Sequence, residues 1–559
     1  MKVALCWHMH QPEYRNMSTG SFQLPWTYLH AIKDYVDMAA HLEAVPEARA
    51  VVNFAPILLE QIEAYVEQVT AFLNGQGTIA DPLLAELVQP ALPGDQELRL
   101  ELIRKCLQAN REHMIGRFAP YQRLADLAQY HEDHPQSLIY VSNQFLADLL
   151  VWYHLVWLAE SARRTDPRIK ALQDKGENFT IHERRELLQL LLELMASVIP
   201  RYKALAQSGQ VELTMSPYAH PIVPLLLDMD CAREAMPDAH LPINTTYPGG
   251  KERVQWHLQQ GLETFQRVFG IRPQGIWPSE GGVSQASLQL FDEAGFSWAA
   301  SGGAVLNNSK PDQSHSCSHR VYRFGDSKIK CVFRDDGLSD LIGFSYSDWH
   351  SEDAVANLIG HMEHISDLCP DRNDCIITLI LDGENAWEYY PENAWHFLDH
   401  LYRALGDNSK LELTTIGEFI AQSKPQPELA QRLVAGSWVY GTFSTWIGSP
   451  EKNRAWDLLV DAKHCYDEVV ASGKLSPQEL SDASRQLAIC EGSDWFWWFG
   501  DYNPGPTVSQ FDQLYRTHLA QLYQLLGVEA PGNLSEIISR GGGQPSRGGV
   551  MRHHDKNTP

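Results

Sequence analysis

Seven short apolar runs, most of them followed by a helix-patterned stretch, constrain this chain more than any other feature. They are VALCW (residues 3–7), AVVNF (50–54), VELTM (211–215), GIWPS (275–279), WAAS (298–301), KCVFRD (330–335) and IITLIL (376–381). Several are apolar almost throughout, the pattern of strands buried on both faces. Strand–helix alternation implies parallel pairing, in a doubly wound sheet or a barrel. Seven strands around one site favour the barrel, so an α/β fold built on an incomplete seven-stranded (β/α) barrel is expected over residues 1–415.

The gap between residues 54 and 211 is helix-patterned, with a Thr180–Glu183 capping box ahead of ELLQLLLELM, so residues 80–205 read as a helical insertion. After residue 415 the strand signals stop. Trp456, Leu459, Val460, Tyr466 and Val469 follow one helical stripe and Phe511, Leu514, Tyr515, Leu522 and Leu525 another. Ser476 and Pro477 open a helix between them. Residues 416–527 are therefore expected to form a helical bundle, and the polar, Gly-rich residues 528–559 a disordered tail.

Charge and cysteine usage narrow the function. Lys+Arg is 45 against 70 Asp+Glu, a net charge of −25. Phosphate binding needs clustered cations, so nucleic-acid and anionic-membrane partners are not expected. The nine Cys are scattered without a C-x-x-C pair and read as free thiols in a reducing compartment. MKVALCW is too short for a signal h-region and reads as a first strand, and the most apolar stretch is interrupted by Gln189 and Glu193. A cytoplasmic protein is expected.

In parallel α/β folds the chemistry lies at the C-terminal ends of the strands. The first run leads into His8 and His10, the third carries Glu212 and runs on to His220, and GIWPS ends in Glu280 behind Trp277. KCVF ends in Arg334 and Asp335, and IITLIL in Asp382, Glu384 and Trp387. Glu280 and Asp382 follow apolar strands, where desolvation raises a carboxyl pKa and equips a general acid. Two such carboxyls facing one pocket suit glycosidic bond cleavage. From position alone they read equally as helix N-terminal acids complementing dipoles. His8-x-His10 invites a metal, but no later strand end supplies a histidine, His220 lying on a loop past its strand. Hydrogen bonding to a polar substrate is the preferred reading. The stretch EGSDWFWWFGD, which holds Trp495, reads as an aromatic plug docking the bundle onto the barrel, Trp497 and Trp498 above all; GSWVYGTFSTWIG, with Trp438, is a similar loop, and at least one of the two is expected to wall the site.

WHMHQPEY, GQVELTMSPYAHPIVPLL, GIWPSEGGVS and ITLILDGENAWEYY, in that order, resemble the signature regions of glycoside hydrolase family 57; FRDDGLSDLIGFSY and EGSDWFWWFGD resemble its amylopullulanase and α-amylase branch. The resemblance implies an incomplete seven-stranded barrel followed by a helical bundle. It implies a retaining mechanism, with Glu280 as nucleophile and Asp382 as acid/base, Asp382 being chosen over Glu384 by the family match alone. It also places His10 and Glu212, and less directly Trp277, Arg334, Asp335, Trp387 and Trp495, around the sugar. Large amylopullulanases carry β-sandwich modules after the bundle. Here a Gly-rich tail follows it, so anchoring to insoluble starch is not expected. The expected function is a cofactor-independent, metal-free α-1,4-glucan hydrolase of α-amylase or amylopullulanase type. The alternatives are a 4-α-glucanotransferase using the same site, a metal-dependent hydrolase or deacetylase built on His8 and His10, and a glycan-binding protein without turnover.

Overall fold

A computed structural model describes residues 1–310, 317–369, 371–423, 425 and 427–543. The strands are β1 (Lys2–Met9), β2 (Ala50–Phe54), β3 (Val211–Met215), β4 (Gly275–Ile276), β5 (Trp298–Gly302), β6 (Tyr322–Phe324), β7 (Lys330–Arg334), β8 (Ile376–Asp382), β9 (Glu412–Leu413) and β10 (Glu428–Ala430). They form one sheet in the order β10-β6-β7-β5-β4-β3-β2-β1-β8, with β9 beside β1. Every pairing is parallel except β6 with β7. Each of the seven apolar runs holds a strand, GIWPS only over Gly275–Ile276 and the others over most of their length, because a strand covered on both faces must be apolar at nearly every position. β2 and β5 are buried along their whole length.

Three strands escape the sequence pattern. β6, β9 and β10 are two or three residues long, too short for any period, and β10 falls in the stretch after residue 415 where no strand is expected. β7 also meets β8: the Asp335 N–H donates to the Thr378 carbonyl at 2.8 Å, and the Arg334 Nε–H to the Ile380 carbonyl at 2.8 Å.

The inward residues of the strands form their own cluster, apart from the main core. It contains Ala4, Cys6, Val51, Trp298, Ala300, Val332 and Ile380, closed below by Ile416 and Phe419 of the helix Ile416–Gln422. Between β2 and β3 the chain is helical, ending in the helix Ile181–Gln207 with both hydrogen bonds of the Thr180–Glu183 capping box. The C-terminal region packs the helices Pro450–Ala471, Pro477–Cys490 and Gly505–Leu525 with the short Ser493–Trp498. Among the described residues no helix is long and apolar enough to cross a membrane.

The segment 528–543 departs from the disorder expected of it. Leu534 and Ile538 are buried, and Asp512 Oδ1 accepts the N–H groups of Ile538 at 2.7 Å and Ser539 at 3.1 Å. Two apolar side chains in a polar stretch suffice to dock it, a signal that average composition hides. Residues 544–559 of the expected tail lie outside the described residues.

Candidate active site

Parallel register sets the site. His8 lies level with Asn53 on one side and Asp382 on the other, and Asn53 with Thr214. The inward residues at the C-terminal end of β1, β2, β3 and β8 are thus polar, above an apolar interior. His8 Nδ1 lies 2.6 Å from Asn53 Oδ1, and Asn53 Nδ2 donates to Thr214 Oγ1 at 3.1 Å.

Above this row is a cavity of about 530 Å³ lined by Glu280, Asp382, Glu384, His8, His10, Arg334, Trp438 and Asp494, with further aromatic walls. Trp26 opens the helix Trp26–His30 after β1, Trp157 comes from the helical region between β2 and β3, and Trp497, Trp498 and Phe511 come from the C-terminal helices, so Trp497 and Trp498 wall the cavity rather than only plugging the bundle onto the barrel. Trp498 stacks on Phe511 with centroids 4.7 Å apart.

Glu280 sits in a left-handed backbone conformation, φ 58° and ψ 25°. A side chain rarely adopts it without a cost of order 1 kcal/mol, and such outliers cluster at functional sites. Its carboxylate accepts the Trp438 indole N–H at 3.0 Å and the Ser493 hydroxyl at 3.3 Å. The Ser493 Oγ is itself 2.9 Å from His220 Nδ1. Burial keeps His220 far below the ordinary imidazole range, so it is neutral and donates from Nδ1. Gly302 admits this arrangement: a Cβ there would lie 2.6 Å from the Trp438 Cα.

Asp382 Oδ2 accepts the Asn385 amide at 2.9 Å. Glu384 Oε1 accepts the His10 N–H at 3.2 Å and the Gln11 amide at 3.3 Å, while its Oε2 is buried without a partner among the described residues. Burial pushes Glu280 up to about 8, helped by the charges of Asp382 and Asp494. Burial likewise pushes Asp382 up to about 6, against the Asn385 hydrogen bond and the nearby His10 and Arg334. Glu384 is raised well above the carboxyl range, by burial and then by Asp382. Several carboxyls facing one low-dielectric space do not all ionise together, and they titrate as a group.

The imidazoles of His8, His220 and His10 stack, with His220 and His10 centroids 3.8 Å apart and His8 and His220 5.0 Å apart. His10 Nε2 lies 3.0 and 2.9 Å from the two Asp494 oxygens. One donor atom each from His10, His220 and Asp494 lies within 4.8 Å of the others, a spacing able to hold a metal ion.

Of the residues expected around a sugar, Glu280, Asp382, His10, Arg334, Glu384 and Trp438 line the cavity, and His220 supports it from beneath. Five do not line it. Glu212 points inward but two residues short of Thr214, where it accepts from Trp298 Nε1 at 2.9 Å and the Gly417 N–H at 2.8 Å at the interior's floor. Trp277 is fully buried beneath Trp438, ring centroids 5.3 Å apart. Trp387 donates to the Gly383 carbonyl at 2.8 Å and Trp495 to the Ile489 carbonyl at 2.8 Å, both in the core. Asp335 pairs with His319 and caps Leu338. Asp494 and Ser493 join the site with no local signal beyond their place in the EGSDWFWWFGD stretch; only folding brings Ser493 to Glu280 and Asp494 to His10.

The sequence model of glycosyl hydrolase family 57 matches residues 4–431. This chain belongs to that family. Solved structures agree on the fold. A family 57 branching enzyme from Pyrococcus horikoshii superposes with a TM-score of 0.55 at 15% identity, covering 95% of this chain and 93% of the other. The α-amylase AmyC of Thermotoga maritima gives 0.55 at 11%, covering 94% and 93%. A 4-alpha-glucanotransferase from Thermococcus litoralis gives 0.51 at 13%, covering 93% of this family 57 chain and 60% of its own. At these identities the likeness is one of fold.

Proposed function

We propose that this family 57 enzyme is a retaining glycosidase acting on α-1,4-linked glucans, with Glu280 as nucleophile and Asp382 as general acid and base. The observation that carries this reading is the convergence of a strained, hydrogen-bonded Glu280 and a desolvated Asp382 on one aromatic-walled cavity. In the first step Glu280 attacks the anomeric carbon while Asp382 protonates the leaving oxygen. In the second Asp382 takes a proton from water or from an acceptor sugar hydroxyl, which displaces Glu280. Productive chemistry needs the shared proton on Asp382. Trp438 and Ser493 stabilise the charged form of Glu280, and protonating Asp382 removes its repulsion. The seven strands β1, β2, β3, β4, β5, β7 and β8 fit the incomplete barrel implied by the family resemblance, with β7 and β8 meeting at Asp335 and Thr378. A cytoplasmic setting fits nine free thiols.

The second reading, a 4-α-glucanotransferase, is favoured by ring surface drawn from three distant parts of the chain, Trp26 and Trp157 against Trp497 and Trp498. That surface offers stacking for an acceptor sugar as well as a donor. A metallohydrolase built on His8 and His10 has less support, since His8 Nδ1 faces Asn53 and His10 Nε2 faces Asp494.

Maltoheptaose incubated with and without glucose, followed by chromatography, separates hydrolysis from transfer: products longer than the input reveal transfer. Glu280→Ala should lower turnover by several orders of magnitude, with azide restoring cleavage of an activated α-glycoside to a product of inverted configuration. Near-normal activity in Glu280→Ala would remove it as nucleophile.

A further inference from the structure

Three of the nine cysteines, separated by up to 58 positions, converge away from the cavity. Cys317 precedes β6; Cys369 and Cys375 flank the loop entering β8. Their sulfurs all lie within 4.8 Å of one another. Cys317 Sγ is 4.0 Å from Cys369 Sγ, and Cys369 Sγ is 2.7 Å from Cys375 Sγ. A fourth donor stands beside Cys317, at the edge of this cluster: His319 Nδ1 lies 3.6 Å from Cys317 Sγ. On its far side the His319 Nε2 is 2.8 Å from Asp335 Oδ2.

Tetrahedral zinc with Zn–S near 2.3 Å and Zn–N near 2.0–2.1 Å implies ligand separations of about 3.8 Å between sulfurs and about 3.6 Å between sulfur and nitrogen. The Cys317–Cys369 and Cys317–His319 separations fit; the Cys369–Cys375 pair reaches the same spacing by opening about 1 Å, and metal would draw His319 in towards these two sulfurs. A zinc-ligating histidine almost always gives its other ring N–H to a carboxylate or carbonyl, which fixes the tautomer and the ring. Asp335 does this here, which gives this strand-end acid a use that the cavity does not. We propose that Cys317, His319, Cys369 and Cys375 form a structural Cys₃His zinc site.

The site has a mechanical rationale. The Ile376 N–H donates to the His319 carbonyl at 2.7 Å, and Arg320 pairs with Cys375 in an antiparallel bridge. These contacts pin the segment before β6 to the start of β8, beside the Asp335–Thr378 hydrogen bond where β7 meets β8. Metal would clamp that seam at the end of β8 away from Asp382, roughly 23 Å along the strand at about 3.3 Å per residue. On binding, three thiol protons pass to solvent, and His319 binds through the lone pair on Nδ1 while keeping its proton on Nε2. The alternative use of the same atoms is a Cys369–Cys375 disulfide, which would leave Cys317 and His319 unexplained.

The test is metal content and spectroscopy of the intact protein. Elemental analysis should find about one zinc per chain, and cobalt exchanged into it should show thiolate charge-transfer bands with tetrahedral d–d bands. Cys317→Ser and His319→Ala should each lose most of the metal and melt lower, while Cys465→Ser should keep both. Metal retained in Cys317→Ser would place it elsewhere, His10, His220 and Asp494 being the other candidate set, and would overturn the proposal. So would seven rather than nine titratable thiols in the denatured wild type, the sign of a disulfide. If Cys317→Ser does not fold, the wild-type cobalt spectrum decides, and a spectrum without thiolate bands overturns the proposal.

Discussion

The indole N–H of Trp438 donates to Glu280 Oε2 at 3.0 Å, and the backbone N–H of the same residue donates to the Glu280 carbonyl at 3.0 Å. One residue from the segment leading into the C-terminal helices therefore holds both the main chain and the carboxylate of the proposed nucleophile. Trp438→Phe keeps a ring and the backbone bond but removes the indole donor. A hydrogen bond to a charged group contributes about 1.5–3 kcal/mol, so kcat should fall roughly 10- to 100-fold with the fold intact. The sign of the pH effect is set by which form the donor favours. Losing a donor to the carboxylate raises the Glu280 pKa, so the acidic limb of the rate profile should move to higher pH. An unmoved limb would show that this bond does not tune the nucleophile.

Glu280→Gln should abolish turnover and stabilise the protein at neutral pH. The Glu280 carboxyl is raised from 4.5 to about 8. At pH 7 the folded state keeps a proton that the unfolded chain releases. Stability from this group is full below about 4.5 and is lost as pH rises towards about 8. Over the interval from 4.5 to 7 the loss is roughly 3 kcal/mol as an upper bound. Calorimetry should find the variant melting above wild type at pH 7 and level with it near pH 4. Equal melting at both values would mean that Glu280 is ionised in the resting enzyme.

Asp382 and Glu384 both line the cavity, and their variants should differ. Asp382→Asn should hurt substrates with poor leaving groups most, because they need protonation in the first step. A maltosyl fluoride should be spared in its glycosylation step. Removing the Asp382 charge should also lower the Glu280 pKa, though not to 4.5, because burial, the larger cause, remains. Glu384→Gln should show neither effect, since Glu384 is bound to the His10 backbone and the Gln11 side chain. Leaving-group dependence in Glu384→Gln alone would exchange the two roles.

Acid should loosen the C-terminal helices from the helix Gly250–Phe269 beside the sheet through Glu491. Burial raises this carboxyl, but Arg253 and His257 outweigh it and hold it at about 2. Arg253 donates to it at 2.8 Å through both Nε and Nη2, and His257 Nε2 lies 2.8 Å away. Because the folded value lies below the unfolded one, the stabilisation is present above about 4.5 and lost as pH falls towards about 2. Its size is of the order of 3 kcal/mol. Glu491→Gln strands the buried Arg253 charge and should cost about 3–5 kcal/mol at neutral pH. Acid unfolding followed by tryptophan fluorescence should show a steep loss below pH 4.5 in wild type and a flatter one in the variant.

The seven main strands were legible in the sequence, because strands buried on both faces must be apolar throughout; Glu280 and Asp382 were legible only as candidates, because an acid after a strand can equally cap a helix, as Asp335 does. The capping box at Thr180 and the helix start at Ser476 were legible for a similar reason, since four adjacent residues contain the whole interaction. What tertiary structure alone decided was depth and partnership. Glu212 and Thr214 both point inward, but strand register lowers Glu212 to the floor beside Trp298 and raises Thr214 to the His8 row. Trp277, Trp387 and Trp495 followed the same motifs as lining residues, yet their rings turn into the core, where burying large apolar surface outweighs exposure to a cavity. Asp494 reaches His10 across 484 positions, and Cys317 reaches Cys369 across 52. Local pattern records the period and polarity of a segment. Which distant segment it meets is set by packing and loop closure, and these belong to the folded chain as a whole.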